Sequence, residues 1–115
     1  MLRIDAGIWP NENDSFVIRI APKRELVIVR GTDGAPRAYL NECQHIPIPL
    51  DSGTRRFLDV LRTHLVCLTH GATYRVDTGE CVAGPCDGDV LTRFEVEVAE
   101  GNLWVYVPEH VLDAL

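Results

Sequence analysis

At 115 residues, with 46% hydrophobic and 24% charged side chains, the chain has the size of one globular domain and is too apolar for disorder. Its formal charge of −6 excludes a general nucleic-acid binder, which needs a basic face. The charge is uneven: residues 1–76 hold 10 basic and 8 acidic side chains, residues 77–115 hold 1 and 9, so the acidic end is expected to attract a basic surface.

The N-terminus, Met1-Leu2-Arg3-Ile4-Asp5, has neither the basic start nor the apolar run of a secretory signal, and no segment nears the roughly 18 apolar residues that cross a bilayer. The expectation is a cytoplasmic protein with no membrane partner. Phe16, Ile18 and Ile20 alternate with Val17 and Arg19, which predicts a strand near 14–20. Ala21-Pro22-Lys23-Arg24 turns the chain into a second strand over 26–30. Gly31-Thr32-Asp33-Gly34 is a turn by composition, and 36–42 reads as a third strand.

Residues 43–86 differ. Cys43, Cys67, Cys81 and Cys86 all lie here, strands are expected only near 64–67 and 72–76, and turn residues are frequent. So little alternation predicts a weak core, with a metal holding the region. Beyond it, Val90, Thr92, Phe94, Val96 and Val98 alternate with Leu91, Arg93, Glu95 and Glu97, so the first set is expected to face the core. Glu100-Gly101-Asn102 turns the chain, and Leu103, Val105 and Val107 continue inward opposite Trp104 and Tyr106. Residues 110–115 read as a short helical turn or tail. The pattern is all-β, a single domain over 1–115 with a loop-rich subdomain over about 41–86 inserted in a β base of about 1–40 and 87–115.

Two segments carry chemistry: Cys43-Gln44-His45 and Cys67-Leu68-Thr69-His70. Two thiols and two imidazoles suit a tetrahedral zinc, although structural zinc loops usually pair Cys with Cys and His with His. They also suit, and the mixed C-x-H and C-x-x-H spacing moderately favours, a 2Fe–2S cluster whose irons differ, one held by Cys43 and Cys67, the other by His45 and His70.

The second box continues Gly71-Ala72-Thr73-Tyr74, and Thr78-Gly79 and Gly84-Pro85 follow. In this the chain resembles the Rieske iron–sulfur family, with boxes C-x-H and C-x-x-H-G, closely over about 38–86 and loosely over nearly the whole length. The resemblance implies an antiparallel β base, as a sandwich or partly open barrel, bearing a cluster-binding subdomain. It implies one 2Fe–2S cluster per chain on Cys43, His45, Cys67 and His70, with Gly71, Tyr74 and Pro85 around it. It also implies a one-electron carrier, a ferredoxin, passing electrons from a reductase to a terminal oxygenase by transient docking near His45 and His70. The alternative is a redox-sensing or regulatory module. Only His64 and His110 remain unassigned, so no second, mononuclear-iron catalytic site is expected, and the chain is read as a carrier and not an enzyme.

Imidazole in place of thiolate lowers the negative charge on the centre and raises its potential, to about −150 to +300 mV against about −400 mV for plant-type ferredoxins. High-potential relatives add a disulfide between the boxes and a Ser where this chain has Ala72. Their absence predicts the lower half of that range, and an equilibrium redox titration settling below about +150 mV is the expected result. Cys81 and Cys86, close enough to suggest a second site or a disulfide, are expected to be buried thiols in a reducing compartment, with a disulfide as the alternative. His64 is expected at the surface. Asp87, Asp89, Glu95, Glu97 and Glu100 are candidates for steering a basic partner, and Ile46-Pro47-Ile48-Pro49-Leu50 for a docking rim or a shield.

Overall fold

The computed structural model describes residues 2–7, 15–21, 24–42, 63–67, 71–84 and 88–109. Among the described residues nine strands follow one another: β1 (Leu2–Gly7), β2 (Ser15–Ala21), β3 (Arg24–Arg30), β4 (Pro36–Leu40), β5 (His64–Val66), β6 (Thr73–Arg75), β7 (Cys81–Ala83), β8 (Arg93–Ala99) and β9 (Asn102–Val107). Among the described residues no helix is long and apolar enough to cross a membrane.

Six strands form an antiparallel sheet in the order β1-β9-β8-β4-β3-β2. Its two end strands send Ile4 and Ala6, and Phe16, Ile18 and Ile20, against one core of Leu26, Ile28, Ala38, Leu40, Phe94, Leu103, Val105 and Val107. Strands at opposite ends of the order share a core only if the sheet curls round on itself, so the base is a nearly closed barrel. The β8–β9 hairpin closes through Glu100 and Gly101, both at positive φ (55° and 82°), the turn that matches the twist of its strands.

The smaller sheet, β5-β6-β7, packs on the outside of the barrel wall. Its core corrects the expectation of a region held by metal alone. Leu65, Cys67, Ala72, Tyr74, Val76, Cys81 and Leu91 are buried together with Val27, Val29 and Tyr39 of the base. Successive residues of a strand face opposite ways, so β3 gives Leu26 and Ile28 to the barrel and Val27 and Val29 to the subdomain. Each such aliphatic side chain contributes about 1.5–3 kcal/mol when fully buried.

The expected inward face of 90–98 needs a second correction. Phe94 is buried, but Val90 and Val98 are exposed and Leu91 is buried. The strand begins only at Arg93. Before it, Leu91 donates its N–H to the Gly79 carbonyl and turns into the subdomain core, while Val90 forms an isolated bridge to Glu80.

Polar bonds tie the base to the turn after β6. Thr32 donates its N–H (2.8 Å) and its hydroxyl (2.6 Å) to the Asp77 carboxylate, and Arg37 donates Nε to the Asp77 carbonyl. The Thr32 hydroxyl, then its N–H, hold the Asp77 carboxyl below its ordinary pKa. A depressed carboxylate pKa adds stability that is present above the unfolded value of about 4 and lost as pH falls through the folded one. Thermal melts of the wild type should therefore fall on acidification toward about pH 3 more steeply than those of Asp77→Asn. Equal acid slopes in the two proteins would remove this role for Asp77.

Candidate metal centre

The segment expected to be the second ligand box joins β5 to β6, whose register pairs Val66 with Thr73. Immediately beyond, the Cys67 N–H donates to the Ala72 carbonyl (2.7 Å) and the Gly71 N–H donates to the Cys67 carbonyl (2.8 Å). Those two bonds close the loop at its base. Gly71 has φ 75°, and a Cβ there would meet nothing within 4 Å, so the backbone conformation and not lack of room calls for glycine.

Cys67 is fully buried, retains its thiol, and lies in one cluster with Tyr74, Leu65 and Ala72. Of the residues expected around the centre, the structure thus brings together Cys67, Gly71 and Tyr74. Cys43, His45, His70 and Pro85 lie outside the described residues, as do the apolar run 46–50, Cys86, Asp87 and the C-terminal segment 110–115. Among the described residues no three metal-ligating side chains converge.

The described residues fit an iron–sulfur centre in two respects. A soft sulfur donor, screened from water, stands at the mouth of a backbone-closed loop, and thiolates suit iron–sulfur clusters. Against that loop lies Gly84, at φ 92°: a Cβ there would sit 2.8 Å from the Ala72 Cα and 3.0 Å from its N. Gly84 therefore rests directly on the backbone of Gly71 and Ala72. Gly84→Ala is expected to push the two apart, combining about 1–3 kcal/mol of backbone strain with a clash that backbone atoms cannot relieve. A lowered melting temperature together with faster loss of iron to a chelator would register this. An unchanged rate of loss would show that the contact does not guard the centre.

Cys81 is disulfide-bonded, correcting the expectation of a thiol there, and its Sγ lies 3.2 Å from the Ala83 carbonyl oxygen. His64 is half-buried on β5, with Nδ1 2.8 Å from the Thr63 hydroxyl. The acidic residues do not share one strand system. Asp89 lies beside β7, where the Cys81 N–H donates to its carbonyl, whereas Glu95 and Glu97 are on β8 of the barrel and Glu100 is in its hairpin. Glu97 is engaged there by Arg3 (2.9 Å) and the Tyr106 hydroxyl (3.1 Å), and the Arg3 guanidinium covers the Trp104 ring at 4.0 Å.

Comparison with known proteins gives concordant findings. A family model described as the Rieske [2Fe-2S] domain matches residues 9–106. The chain is 38% identical over 113 residues to the oxygenase component of chloroacetanilide N-alkylformylase from Rhizorhabdus wittichii strain DC-6. That alignment takes in 93% of this chain and 31% of the relative, so the chain spans about a third of that protein's length. Among solved structures, one chain from the complex of reduced oxygenase and oxidised ferredoxin in carbazole 1,9a-dioxygenase is 27% identical, with a TM-score of 0.69 over 90% of this chain and 91% of the other. The plasma-membrane Rieske protein PetC3 of Synechocystis PCC 6803 superposes with a TM-score of 0.72 over 90% and 99% of the two chains. At 20% identity it speaks for the fold alone.

Proposed function

The chain belongs to the Rieske [2Fe-2S] domain family, which binds a 2Fe–2S cluster, and from that membership we propose that it carries single electrons from a reductase to a terminal oxygenase, with Cys43, His45, Cys67 and His70 as the cluster ligands. Bound there, the cluster supplies a site that takes up and releases one electron. The observation that carries this reading is the buried Cys67 thiol, held in a loop closed by its own backbone and backed by Gly84.

In this reading Cys43 and Cys67 contribute the two negative charges that offset the cationic core, and His45 and His70 contribute neutral nitrogen. Each imidazole keeps a second ring nitrogen as an N–H donor, the group through which a partner is contacted. The shared core of β3 and Tyr39 holds the second box fixed on the barrel, so that little rearranges when charge arrives. Docking is brief, across an interface below about 1,200 Å².

The test uses visible absorption. The purified chain, reduced with one equivalent of dithionite, should be reoxidised by a separately prepared Rieske-type oxygenase faster than by buffer alone. A second reading is favoured by the 38% identity to an oxygenase component: the same module serving as the electron-entry portion of such a component. In that case the reduced chain passes no electron to a separate oxygenase, although it bleaches reversibly.

A further inference from the structure

The barrel is not laced along its whole length. β8 and β9 join through a two-residue turn, so Ala99 and Asn102 exchange hydrogen bonds, as do Glu97 with Trp104 and Glu95 with Tyr106. Val96 and Val98 therefore send their N–H and C=O groups the other way, toward β4. There the ladder holds only Ala38 opposite Phe94 and Tyr39 opposite Arg93, besides the bond from the Leu40 N–H to the Thr92 carbonyl. Carried further, the register would set Val96 against Pro36 and Val98 against Gly34. Pro36 has no N–H to give, and the Gly34 N–H is taken by the Gly31 carbonyl within its own turn. We propose that this open length of β8 takes up an extended, acidic segment of a partner protein, which adds to it as a short strand.

The seam between β4 and β8 has the access, the room and the charge for that occupant. Val98 continues the inward row of Phe94 and Val96, yet it is 62% exposed, so its side chain has no barrel neighbour to cover it. One cavity of about 470 Å³ lies between Pro36 and Arg37 on one wall and Arg93 to Val96 on the other. A second, of about 280 Å³, lies between Arg30 and Gly34 on one wall and Val98, Gly101, Asn102 and Leu103 on the other, and Pro36 borders both. At about 3.4 Å per residue the open stretch pairs with about three residues of an incoming strand. Three arginines line this groove against Glu95 alone. Arg37 is matched by Asp33 at 3.1 Å. Arg93 reaches the Asp77 carbonyl at 3.4 Å, and among the described residues no carboxylate forms an ion pair with it. An acidic side chain on the added strand supplies that counter-charge, while its backbone supplies the partners that the Val96 carbonyl and the Val98 backbone lack.

A second copy of this chain fits less well. Pairing β8 with its own counterpart would set Glu95 and Glu97 beside their equivalents, and like charges on facing strands repel. The edge belongs to the barrel, so this docking is separate from electron transfer and holds whichever residues bind the cluster.

The experiment adds the peptide acetyl-Glu-Val-Glu-Val-Glu-amide to the holo protein and follows backbone amides by NMR and hydrogen exchange. In the free protein the Val98 amide should be protected about tenfold less than that of Glu97, which is bonded to β9. Saturating peptide should bring the two level. The fully N-methylated peptide, which cannot donate, and the counterpart with lysine for glutamate should not bind. Val98→Pro removes the N–H without touching a bond to β9 and should abolish binding. Arg93→Gln should weaken it about threefold, in the direction that added salt also produces. A Val98 amide already as protected as that of Glu97, equal binding of the methylated or lysine peptide, no binding of the acidic one at millimolar concentration, or a dimer that occupies the edge would each overturn the proposal. If Val98→Pro does not fold, the wild-type protein with the methylated peptide still decides.

Discussion

Replacing Cys67 by alanine is expected to yield a colourless protein whose iron and acid-labile sulfide fall to background. The reasoning begins with burial. Cys67 has no solvent access, and its loop is fixed by the bonds between Cys67, Ala72 and Gly71, so no neighbouring group can swing in to replace the lost sulfur. Changes to groups around metal ligands typically cost 10–100-fold in affinity; loss of a ligand itself should exceed about 100-fold. If Cys67 were only a buried apolar side chain, trimming it would destabilise the core and leave the colour in place. Thr32→Val is the matched control: it disturbs the tie between base and subdomain, costs about 1 kcal/mol, and should keep its iron. Inorganic sulfide separates the outcomes further, because a zinc site would have none to lose. A Cys67→Ala protein that stays brown would end the assignment of this residue.

The two Cys–His segments stood out because metal chemistry confines choice to a few residue types at short spacing, and they pointed to the family whose domain matches residues 9–106. Strands were legible where alternation ran long, as in Leu103–Val105–Val107, and these three are buried with Trp104 and Tyr106 on the other side. The alternation failed at Val90 and Leu91. There the chain is not yet a strand of the barrel, and it bends to serve the subdomain core through the Gly79 carbonyl. β1 escaped notice because, among its described side chains, Ile4 and Ala6 alone pack into the core, too few for a period to stand out. β7 has three residues and follows an irregular register between Thr73 and Tyr74. The shared core did leave a trace: Leu26-Val27-Ile28-Val29 is apolar without interruption, as expected of a strand covered on both faces. Read as a plain strand, that run conceals how the loop-rich subdomain is held. The spacing of Cys81 and Cys86 suggested a disulfide only as the alternative to buried thiols, since pairing depends on geometry that spacing does not carry.

That shared core makes Tyr39 the residue on which the union of barrel and subdomain depends. The side chain is fully buried, its hydroxyl donates to the Val76 carbonyl at 2.8 Å, and its ring lies so close to Gly79 that a Cβ there would come within 2.8 Å of it. Tyr39→Ala should cost about 3–5 kcal/mol, from lost burial and the void left behind, and lower the melting temperature by roughly 10–20 °C. Tyr39→Phe keeps the ring and orphans the buried Val76 carbonyl, for about 1–3 kcal/mol. The pair separates packing from hydrogen bonding. Alkali supplies an independent check. Burial pushes the Tyr39 phenol up to about 12. A raised pKa on a group that is neutral when protonated means its stabilisation is complete below the unfolded value of about 10 and lost as pH rises through the folded one. Denaturant melts of the wild type should therefore weaken between about pH 10 and pH 12, and Tyr39→Phe, which has no phenol to ionise, should weaken less. Because β3 faces both cores, the barrel is expected to fail in the same transition as the subdomain. Parallel alkaline losses in wild type and Tyr39→Phe would show that the junction is held by other groups.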